Sequence, residues 1–337
     1  MILKCGYRRV AEIVEIREIK SPVAQELKAF EEDFLGTLKT DVDLINSVIF
    51  YLAAHKGKRL RPLLIFLIAN LKGSSTRKSI EAAVIVELIH TATLIHDDIV
   101  DEAELRRGGP SVNAVWNNQV SVLVGDFLFS QALQKMVTLN DLDINRVISE
   151  VTIQMSEGEL LQIERAQGYE LDESTYFRMI SSKTASLISA SCQLGALTSS
   201  RKEAYSIDKF WNFGEYLGRA FQIQDDLLDY LGDEEIVGKP VGNDLKESKI
   251  TLPLLYALNN SKNGKSARIK ELLEKGDASD KFDEIRDFVI KNGGVDYSRA
   301  KANGYIQKAL SLLEPFQPSP FKDALVHLVE FAAKREK

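Results

Sequence analysis

The chain has 337 residues, of which 45% are hydrophobic and 27% charged, a composition typical of a globular protein with a sizeable core. Its net charge of −6 argues against non-specific nucleic-acid binding. The spacing of Cys5 and Cys192 does not indicate a disulfide framework, and the apolar run Leu63–Ala69 is too short for a membrane span. The mixed N-terminus does not have the pattern of a secretion signal. We therefore expect a cytoplasmic protein without an integral membrane segment.

The predicted elements are helices almost throughout. We expect residues 1–21 to form an N-terminal appendage and residues 22–337 a single helical domain. The predicted helices run, in chain order, from Ser79 as N-cap to Arg107, from Val112 to Thr138, from Arg146 to Glu164, from Ser174 to Leu197 and from Ile207 to Leu231. Convincing strand alternation is absent, and only 20 glycines and 8 prolines interrupt the chain. The fold is therefore predicted to be all-α, a large helical bundle.

Two acidic motifs of the form DDxxD stand near the C-terminal ends of predicted helices. Their six aspartates are Asp97, Asp98, Asp101, Asp225, Asp226 and Asp229. Residues four apart share a helix face, and like charges placed there destabilise the helix. A solvated acidic surface is the alternative for one such motif. Two motifs with apolar neighbours instead favour Mg²⁺, which binds carboxylate and phosphate oxygens, whereas zinc lacks its His/Cys ligands here.

Basic side chains occur in four further groups. They are Lys56 to Arg61 before an apolar helix, Arg106 and Arg107 after the first acidic motif, Lys183 beside Thr184, and Lys239 with Lys249. Arginine binds phosphate oxygens in a bidentate manner, and lysine binds them as a point charge. Each group alone is typical of a solvated surface. Together with two acidic motifs, they indicate two anionic substrates, one held through Mg²⁺ and the other held directly by Arg and Lys.

The order of these motifs resembles that of the trans-polyprenyl diphosphate synthases. The segments GKRLRP, HDDIVDEAELRRG, the Lys183–Thr184 pair, FQIQDDLLDYLG and GKPVGNDLKESKITLPL follow the family's order over about residues 38–330. The likeness is greatest to bacterial long-chain, homodimeric members such as octaprenyl and solanesyl diphosphate synthases. It implies the isoprenoid synthase type of bundle, with a central cavity between two DDxxD helices. One departure, Lys56 before Gly57 where the family often has Gly-Gly, leaves Lys58 and Arg61 in place.

The resemblance also implies a role for each matching side chain. Two or three Mg²⁺ ions per active site would be bound by Asp97, Asp101, Asp225 and Asp229, with support from Asp98 and Asp226. The allylic diphosphate would contact Arg106, Lys183 and Lys239, and isopentenyl diphosphate would contact Lys58, Arg61, His90 and Arg107. Thr184 and Gln222 would line the reacting centre. There an allylic C–O bond breaks, the isopentenyl double bond attacks the cation, and the departed diphosphate takes a proton.

Small residues near the first acidic motif bear on product length. Ala92 lies five residues before Asp97, about 7.5 Å down the helix, and Thr93 lies four residues before it. An aromatic residue at one of these positions closes the product tunnel in short-chain relatives. Ala92 and Thr93 are too small to do so, and Ile89 would narrow the tunnel without closing it. We therefore predict a long product for a quinone side chain, although small residues there also serve simply to pack helices.

Other functions remain open at this point. A shorter-chain prenyl diphosphate synthase and a non-catalytic subunit of a heteromeric synthase are the alternatives. The complete aspartate motifs and the Arg106–Arg107 pair argue against a non-catalytic subunit, and the second DDxxD argues against a terpene cyclase. The expected partners are isopentenyl diphosphate, a geranyl, farnesyl or geranylgeranyl diphosphate and a second copy of the chain, without nucleic acid. A long apolar product also predicts peripheral membrane contact during its release.

Overall fold

A computed structural model describes residues 16–166, 172–201, 207–231, 242–246, 249–261, 265–275 and 280–333. Its helices begin with α1 Ala24–Thr37, α2 Asp43–Ala54, α3 Leu60–Lys72, α4 Arg77–Val100, α5 Val112–Trp116, α6 Asn118–Leu139, α7 Leu142–Ala166 and α8 Glu173–Ile180. They continue with α9 Ser186–Thr198, α10 Ile207–Leu231, α11 Asn243–Lys246, α12 Leu252–Asn260, α13 Lys265–Glu274, α14 Phe282–Lys291, α15 Gly294–Leu313 and α16 Pro320–Ala333. A π-helical turn, Ser181–Ala185, joins α8 to α9, and a hairpin of β1 Leu105–Arg106 and β2 Gly109–Pro110 follows α4. The predicted all-α bundle is confirmed.

Helix α9 lies at the centre of the bundle and packs against α3, α4, α7 and α10. Its residues are buried apart from Gln193 and Leu197, which are half-buried. Small side chains make this close packing possible. Ser186 and Ser191 bond to carbonyls four residues before them, and Ser189 bonds to Glu215 of α10. Ser191 Oγ, for example, donates to the carbonyl of Leu187 at 2.6 Å. A serine bonded to its own helix leaves no buried polar group without a partner, so a serine-rich helix is compatible with the core.

Buried apolar side chains form two clusters. The larger includes residues of α1, α3, α4, α6, α9 and α16, and the smaller includes residues of α8 and α12 to α15. Helix α10 contributes to both, through Phe213 near its start and Leu227 near its end. Ile19, within the predicted appendage, is buried in the larger cluster. Residues 1–15 lie outside the described part, so the domain boundary at residue 21 stays a prediction.

The predicted helix from Ser79 to Arg107 is wrong at both ends. Helix α4 begins at Arg77 after the N-cap Thr76, whose N–H donates to Ser79 Oγ at 2.9 Å in a capping box. It ends at Val100, because Glu102 adopts a φ of 50° and the chain then enters the hairpin. Asp101 is therefore the C-cap of α4 and lies outside the helix proper.

Two other predicted helices are each divided in the structure. Val112 to Thr138 is broken at Asn117, which has a φ of 103° and caps α6 by accepting a hydrogen bond from the N–H of Val120 at 3.0 Å. Ser174 to Leu197 is interrupted by the π-helical turn. The helix from Ile207 to Leu231 is confirmed at both ends, and α7 extends the predicted Arg146 to Glu164 in both directions.

Helix α4 has the length and hydropathy of a membrane-crossing helix, and it is the one such helix in the described ranges. Its apolar window is 61% buried, however, and it packs among α1, α3, α6 and α9. This burial is typical of the core helix of a bundle, which has to be apolar on several sides.

Candidate active site

The first acidic motif lies where α4 meets the hairpin. The N–H of Asp101 donates to the carbonyl of Asp97 at 2.8 Å, so the chain keeps a helical turn between the two aspartates. Asp98 is buried, and Arg106 of β1 donates to its Oδ1 through Nε at 2.6 Å and through a second guanidinium nitrogen. Asp98 thus anchors the hairpin, and Arg106 is placed beside Asp97 and Asp101. This position of Arg106 agrees with its predicted place beside the first acidic motif.

The pKa of Asp97 is raised to about 6, chiefly by burial, while Lys183 opposes the shift and Glu159 and Asp101 add to it. A raised pKa means that the charged form of the carboxylate is disfavoured, and a bound cation would stabilise that form. This is the electrostatic condition expected of a site that binds Mg²⁺.

The hairpin brings a second arginine against the basic segment before α3. A β-carbon placed on Gly57 would lie 2.8 Å from the guanidinium carbon of Arg107, so the guanidinium packs directly against this glycine. Arg107 also donates to the carbonyl of His55 at 3.5 Å. A larger residue at position 57 would require the end of the Arg107 side chain to shift.

The residues predicted to bind isopentenyl diphosphate lie together between α3 and α4. Arg61 Nη1 is 2.9 Å from His90 Nε2, and Lys58 Nζ lies 4.8 Å from the ring centroid of Phe331 in α16. Burial, with repulsion from Arg61 and Arg107, lowers the pKa of His90 well below its usual value. The imidazole is therefore neutral and can accept the hydrogen bond from Arg61. Burial also lowers the pKa of Arg61 to about 10.

Lys183 and Thr184 lie on the π-helical turn between α8 and α9. Two glycines permit the neighbouring helices to approach it, since a β-carbon on Gly218 of α10 would lie 2.5 Å from the Cα of Ala185, and one on Gly158 of α7 would lie 2.7 Å from the Cβ of Ser182. Turns of this type recur at functional sites because they shift side chains out of the regular helical register. Lys183 forms an ion pair with Glu159 of α7, a residue that sequence reasoning missed.

A chain of hydrogen bonds joins this turn to the second acidic motif on α10. Thr184 Oγ1 donates to Gln222 Oε1 at 2.8 Å, and Gln222 Nε2 donates to Asp226 Oδ1 at 2.9 Å. The other oxygen of Asp226 accepts from the hydroxyl of Tyr176 at 2.5 Å. Tyr176 was also missed. The one sequence signal for Tyr176 is its spacing of seven residues, or two helical turns, before Lys183. This spacing places the two side chains on the same side of a helix.

Asp226 is buried, and its pKa is raised to about 7, chiefly by burial. The hydrogen bonds from Tyr176 and Gln222 oppose this shift, and repulsion from Asp225 and Asp229 adds to it. Asp226 therefore fixes the end of α10, while Asp225 and Asp229, which are half-buried, stand on either side of it.

A cavity of about 140 Å³ lies beside the second motif. Its lining includes Lys183, Thr184, Gln222, Asp226, Asp244 and Lys249, together with Gln162 and Arg165 of α7. Lys249 Nζ is 3.3 Å from Asp101 Oδ1, and its N–H donates to the carbonyl of Asp244 at 2.7 Å. The N–H of Asp244 in turn donates to Asp229 Oδ2 at 3.1 Å. These contacts connect Asp101 of the first motif to Asp229 of the second through Lys249 and Asp244, two residues of the cavity wall.

The donor set fits a hard divalent cation. Among the described residues, no three Asp, Glu, His or Cys side chains form a group that could hold a metal by themselves. Mg²⁺ is commonly bound by one or two carboxylates and completed by water and phosphate oxygens. Asp97 with Asp101 on one side, and Asp225 with Asp229 on the other, offer such carboxylate pairs.

A family model for polyprenyl synthetases matches residues 42–289. The chain belongs to the polyprenyl synthetase family. It is similar to octaprenyl diphosphate synthase of Haemophilus influenzae, with 37% identity over 96% of this chain and 98% of that protein. It is similar in structure to a Caulobacter crescentus polyprenyl synthase complexed with calcium and isoprenyl diphosphate, with a TM-score of 0.89 and 33% identity over 96% and 98% of the two chains. A decaprenyl diphosphate synthase from Rhodobacter capsulatus also gives a TM-score of 0.89, at 32% identity over 96% and 99%.

The expected family, bundle type and prenyltransferase activity are thereby confirmed for this polyprenyl synthetase. The individual site roles stay predictions. Lys239 lies outside the described residues. Ala92 and Ile89 are buried in the larger core cluster, and Thr93 is half-buried with its Oγ1 donating to the carbonyl of His90 at 2.9 Å. None of these three lines the cavity beside the second motif, so their proposed effect on product length depends on space deeper in the bundle.

Removing the Tyr176 hydroxyl should weaken catalysis by this polyprenyl synthetase. We expect Tyr176→Phe to lower kcat about tenfold, because a buried hydrogen bond to the Asp226 carboxyl is lost and Asp225 and Asp229 are held less firmly. Steady-state assays at saturating substrates measure this change. The control is Tyr216→Phe, which removes the hydroxyl of a tyrosine on α10 whose ring stacks on Tyr305. An unchanged kcat in Tyr176→Phe contradicts the prediction.

Proposed function

We propose that this polyprenyl synthetase adds isopentenyl diphosphate units head-to-tail to an allylic diphosphate and releases a long all-trans polyprenyl diphosphate. The observation that carries the proposal is the chain of contacts that joins the two acidic motifs. It runs from Asp101 through Lys249 and Asp244, which line the cavity, to Asp229. Opposed carboxylate pairs with cations between them match the charge of a diphosphate held through metal ions.

In the proposed mechanism, the chain's residues mainly bind and orient charge. Two or three Mg²⁺ ions, held by Asp97, Asp101, Asp225 and Asp229, would stabilise negative charge on the leaving diphosphate. Arg106, Lys183 and Lys249, each paired with a carboxylate in the structure, would contribute positive charge toward the same group. Lys58, Arg61, His90 and Arg107 hold isopentenyl diphosphate so that its double bond attacks the allylic carbon as the C–O bond breaks. The proton lost from the new cation goes to the departed diphosphate.

A long product is supported by two independent observations. The octaprenyl and decaprenyl diphosphate synthases similar to this chain match it over nearly their full length, which favours a long chain over the shorter-chain and non-catalytic alternatives. Ala92 and Thr93 also leave no aromatic side chain one turn below Asp97. We propose a product of about C30 to C45, since α4 carries no aromatic side chain within a 7.5 Å step of Asp97 that would stop a chain growing along it.

The test is to incubate the purified chain with farnesyl diphosphate, radiolabelled isopentenyl diphosphate and Mg²⁺. Chromatography of the dephosphorylated products then gives their length. Products longer than C20 support the proposal. A labelled product that stops at C20, or at C15 when geranyl diphosphate is the primer, indicates the shorter-chain enzyme. An unlabelled cyclic hydrocarbon indicates a terpene cyclase, and no product from either primer indicates a non-catalytic subunit.

We further propose that the enzyme is a homodimer formed through α6 and α7. These helices carry an unusual number of exposed large apolar side chains, namely Leu123, Leu133, Val137, Leu142, Ile153 and Leu160. Val137 and Leu142 are 78% and 82% exposed, which is costly for a monomer and typical of an interface between copies. The cytoplasmic location and the peripheral membrane contact during product release stay predictions.

Charges placed on this face should separate the subunits. We expect Leu133→Asp with Val137→Asp to change the sedimenting species from a dimer to a monomer of 37.7 kDa, because two carboxylates cannot be buried unpaired in an apolar interface. Sedimentation velocity measures the mass. Ile290→Asp, at an exposed apolar residue of α14, should leave the dimer intact. A double variant that remains dimeric excludes this face as the interface.

A further inference from the structure

Arg59 differs from the other cations of the basic segment because it points into the protein. Lys58 and Arg61, on either side of it, belong to the proposed isopentenyl diphosphate site. Arg59 is only 8% exposed, and it is the N-cap residue of α3 with a φ of 57°, in the left-handed region that residues other than glycine rarely adopt. Such a conformation persists only where the surrounding contacts fix it.

Those contacts tie α3 to two other helices. Arg59 Nη1 donates to Glu87 Oε1 of α4 at 2.7 Å, and Nε donates to Glu31 Oε1 of α1 at 3.2 Å. The guanidinium also lies over the ring of Phe34, 4.7 Å from its centroid. Glu87 is 3% exposed, so both members of the Arg59–Glu87 pair are withdrawn from water. A buried ion pair of this kind fixes geometry more reliably than it adds stability.

The pair lies directly beside the proposed substrate ligands. Glu87 precedes His90 by one helical turn on α4, and Arg59 precedes Arg61 by two residues at the start of α3. The contact between Arg61 and His90, at 2.9 Å, therefore joins the same two helices at the same level as the ion pair. Burial lowers the pKa of the Arg61 guanidinium, attraction to Glu87 raises that pKa, and repulsion from Arg107 lowers it. One buried carboxylate thus balances a group of three guanidinium ions.

We propose that Arg59 and Glu87 are positioning residues that set the spacing of Arg61 and His90 for isopentenyl diphosphate, without touching the substrate themselves. The inference rests on the proposed function, because it presumes that Arg61 and His90 bind that diphosphate. A diphosphate site depends on the separation of its cationic groups, and a displacement of about 1 Å is enough to weaken binding strongly. The allylic diphosphate, held from Lys183, from α10 and from the C-terminal end of α4, lies about 15 Å along α4 from Glu87 and should be unaffected.

The decisive measurement compares the two Michaelis constants. Glu87→Gln keeps the shape of the side chain and removes its charge. The pair Arg59→Met with Glu87→Leu removes both charges of the ion pair together, so that neither Arg59 nor Glu87 is left buried without the other if Glu87→Gln fails to fold. In each variant we expect the KM for isopentenyl diphosphate to rise about tenfold, with kcat within about threefold and the KM for farnesyl diphosphate within about twofold of the wild type.

A different ion pair, which joins α1 to α4, supplies the matched control. Arg77 at the start of α4 contacts Asp33 of α1 at 2.5 Å, far along α4 from His90. Arg77→Gln should leave both KM values unchanged, and Glu31→Gln, which keeps the Arg59–Glu87 contact, should leave the KM for isopentenyl diphosphate within about twofold.

Three results decide the matter. A selective rise in the KM for isopentenyl diphosphate in either charge-removing variant, absent from Arg77→Gln, supports the positioning role. Unchanged KM values, or equal rises for both substrates, overturn it while leaving the proposed function standing. A wild-type chain that forms no prenyl product with Mg²⁺ overturns the proposed function and this inference together.

Discussion

Replacing Asp97 with asparagine is expected to lower kcat/KM for prenyl transfer about a thousandfold, because the leaving diphosphate loses metal-mediated charge stabilisation. The same change should leave the metal-free protein as stable as the wild type or more stable. The pKa of Asp97 is raised from 3.8 to about 6 by burial first, with Glu159 and Asp101 adding to the shift. Steady-state kinetics and thermal unfolding without Mg²⁺ measure the two effects.

The pH dependence of stability follows from the same shift. The folded state binds the Asp97 proton more tightly than the unfolded chain, so the contribution of Asp97 to stability falls as pH rises from about 4 to about 6. Asp97→Asn should remove this fall. Glu104→Gln, at an exposed acid three residues beyond the motif, is the control and should keep full activity. Asp97→Asn with more than a tenth of wild-type activity refutes the assignment of Asp97 as a metal ligand.

The charged form of the site is matched by cations in the protein itself. Asp101 is paired with Lys249, Asp98 with Arg106, and Glu159 with Lys183. Binding of Mg²⁺ and a diphosphate would have to rearrange some of these pairs, since Lys249 and Lys183 line the cavity that the substrate would enter. A site built this way is stable without ligand and still presents cations to the incoming phosphate oxygens.

The two acidic motifs could be predicted from sequence because each is a local pattern on a periodic helix. Asp225 and Asp229 lie on α10, whose limits match the predicted Ile207 to Leu231. A central cavity between the motifs was implied by the family resemblance, whereas the chemistry of two carboxylate clusters indicated a shared cation. The end of α4 could not be predicted, because the hairpin that replaces its last turn depends on the contact of Arg106 with Asp98.

The residues that sequence reasoning missed act through long-range contacts. Tyr176 reaches Asp226 from 50 positions away, and Glu159 reaches Lys183 because Gly158 lets α7 approach the π-helical turn. Neither belongs to a recognisable motif. From the sequence, Arg59 is one more cation of a basic segment. In the structure its backbone is left-handed and its side chain is buried. Backbone conformations of this kind are set by tertiary contacts, which local patterns do not encode.

Replacing Ala92 with phenylalanine is expected to shorten the product from the proposed long chain to about C15 to C20, by placing a ring one and a half turns below Asp97. Ala92 is fully buried in the larger core cluster, so the ring must enter either the product tunnel or the packing between helices. Overpacking alone costs about 1–3 kcal/mol of unfolding free energy and has no effect on product length. Chromatography of dephosphorylated products, together with thermal unfolding, separates the two effects.

The control for this prediction is Ala309→Phe, at an equally buried alanine of α15 in the same core cluster. It should lower stability to a similar extent while leaving the product unchanged, because α15 lies away from the helix that carries Asp97. A shorter product from Ala92→Phe alone then locates the growing chain beside α4. If both variants lose stability and both keep the wild-type product, Ala92 only packs helices, and the floor of the tunnel has to be sought deeper along the bundle.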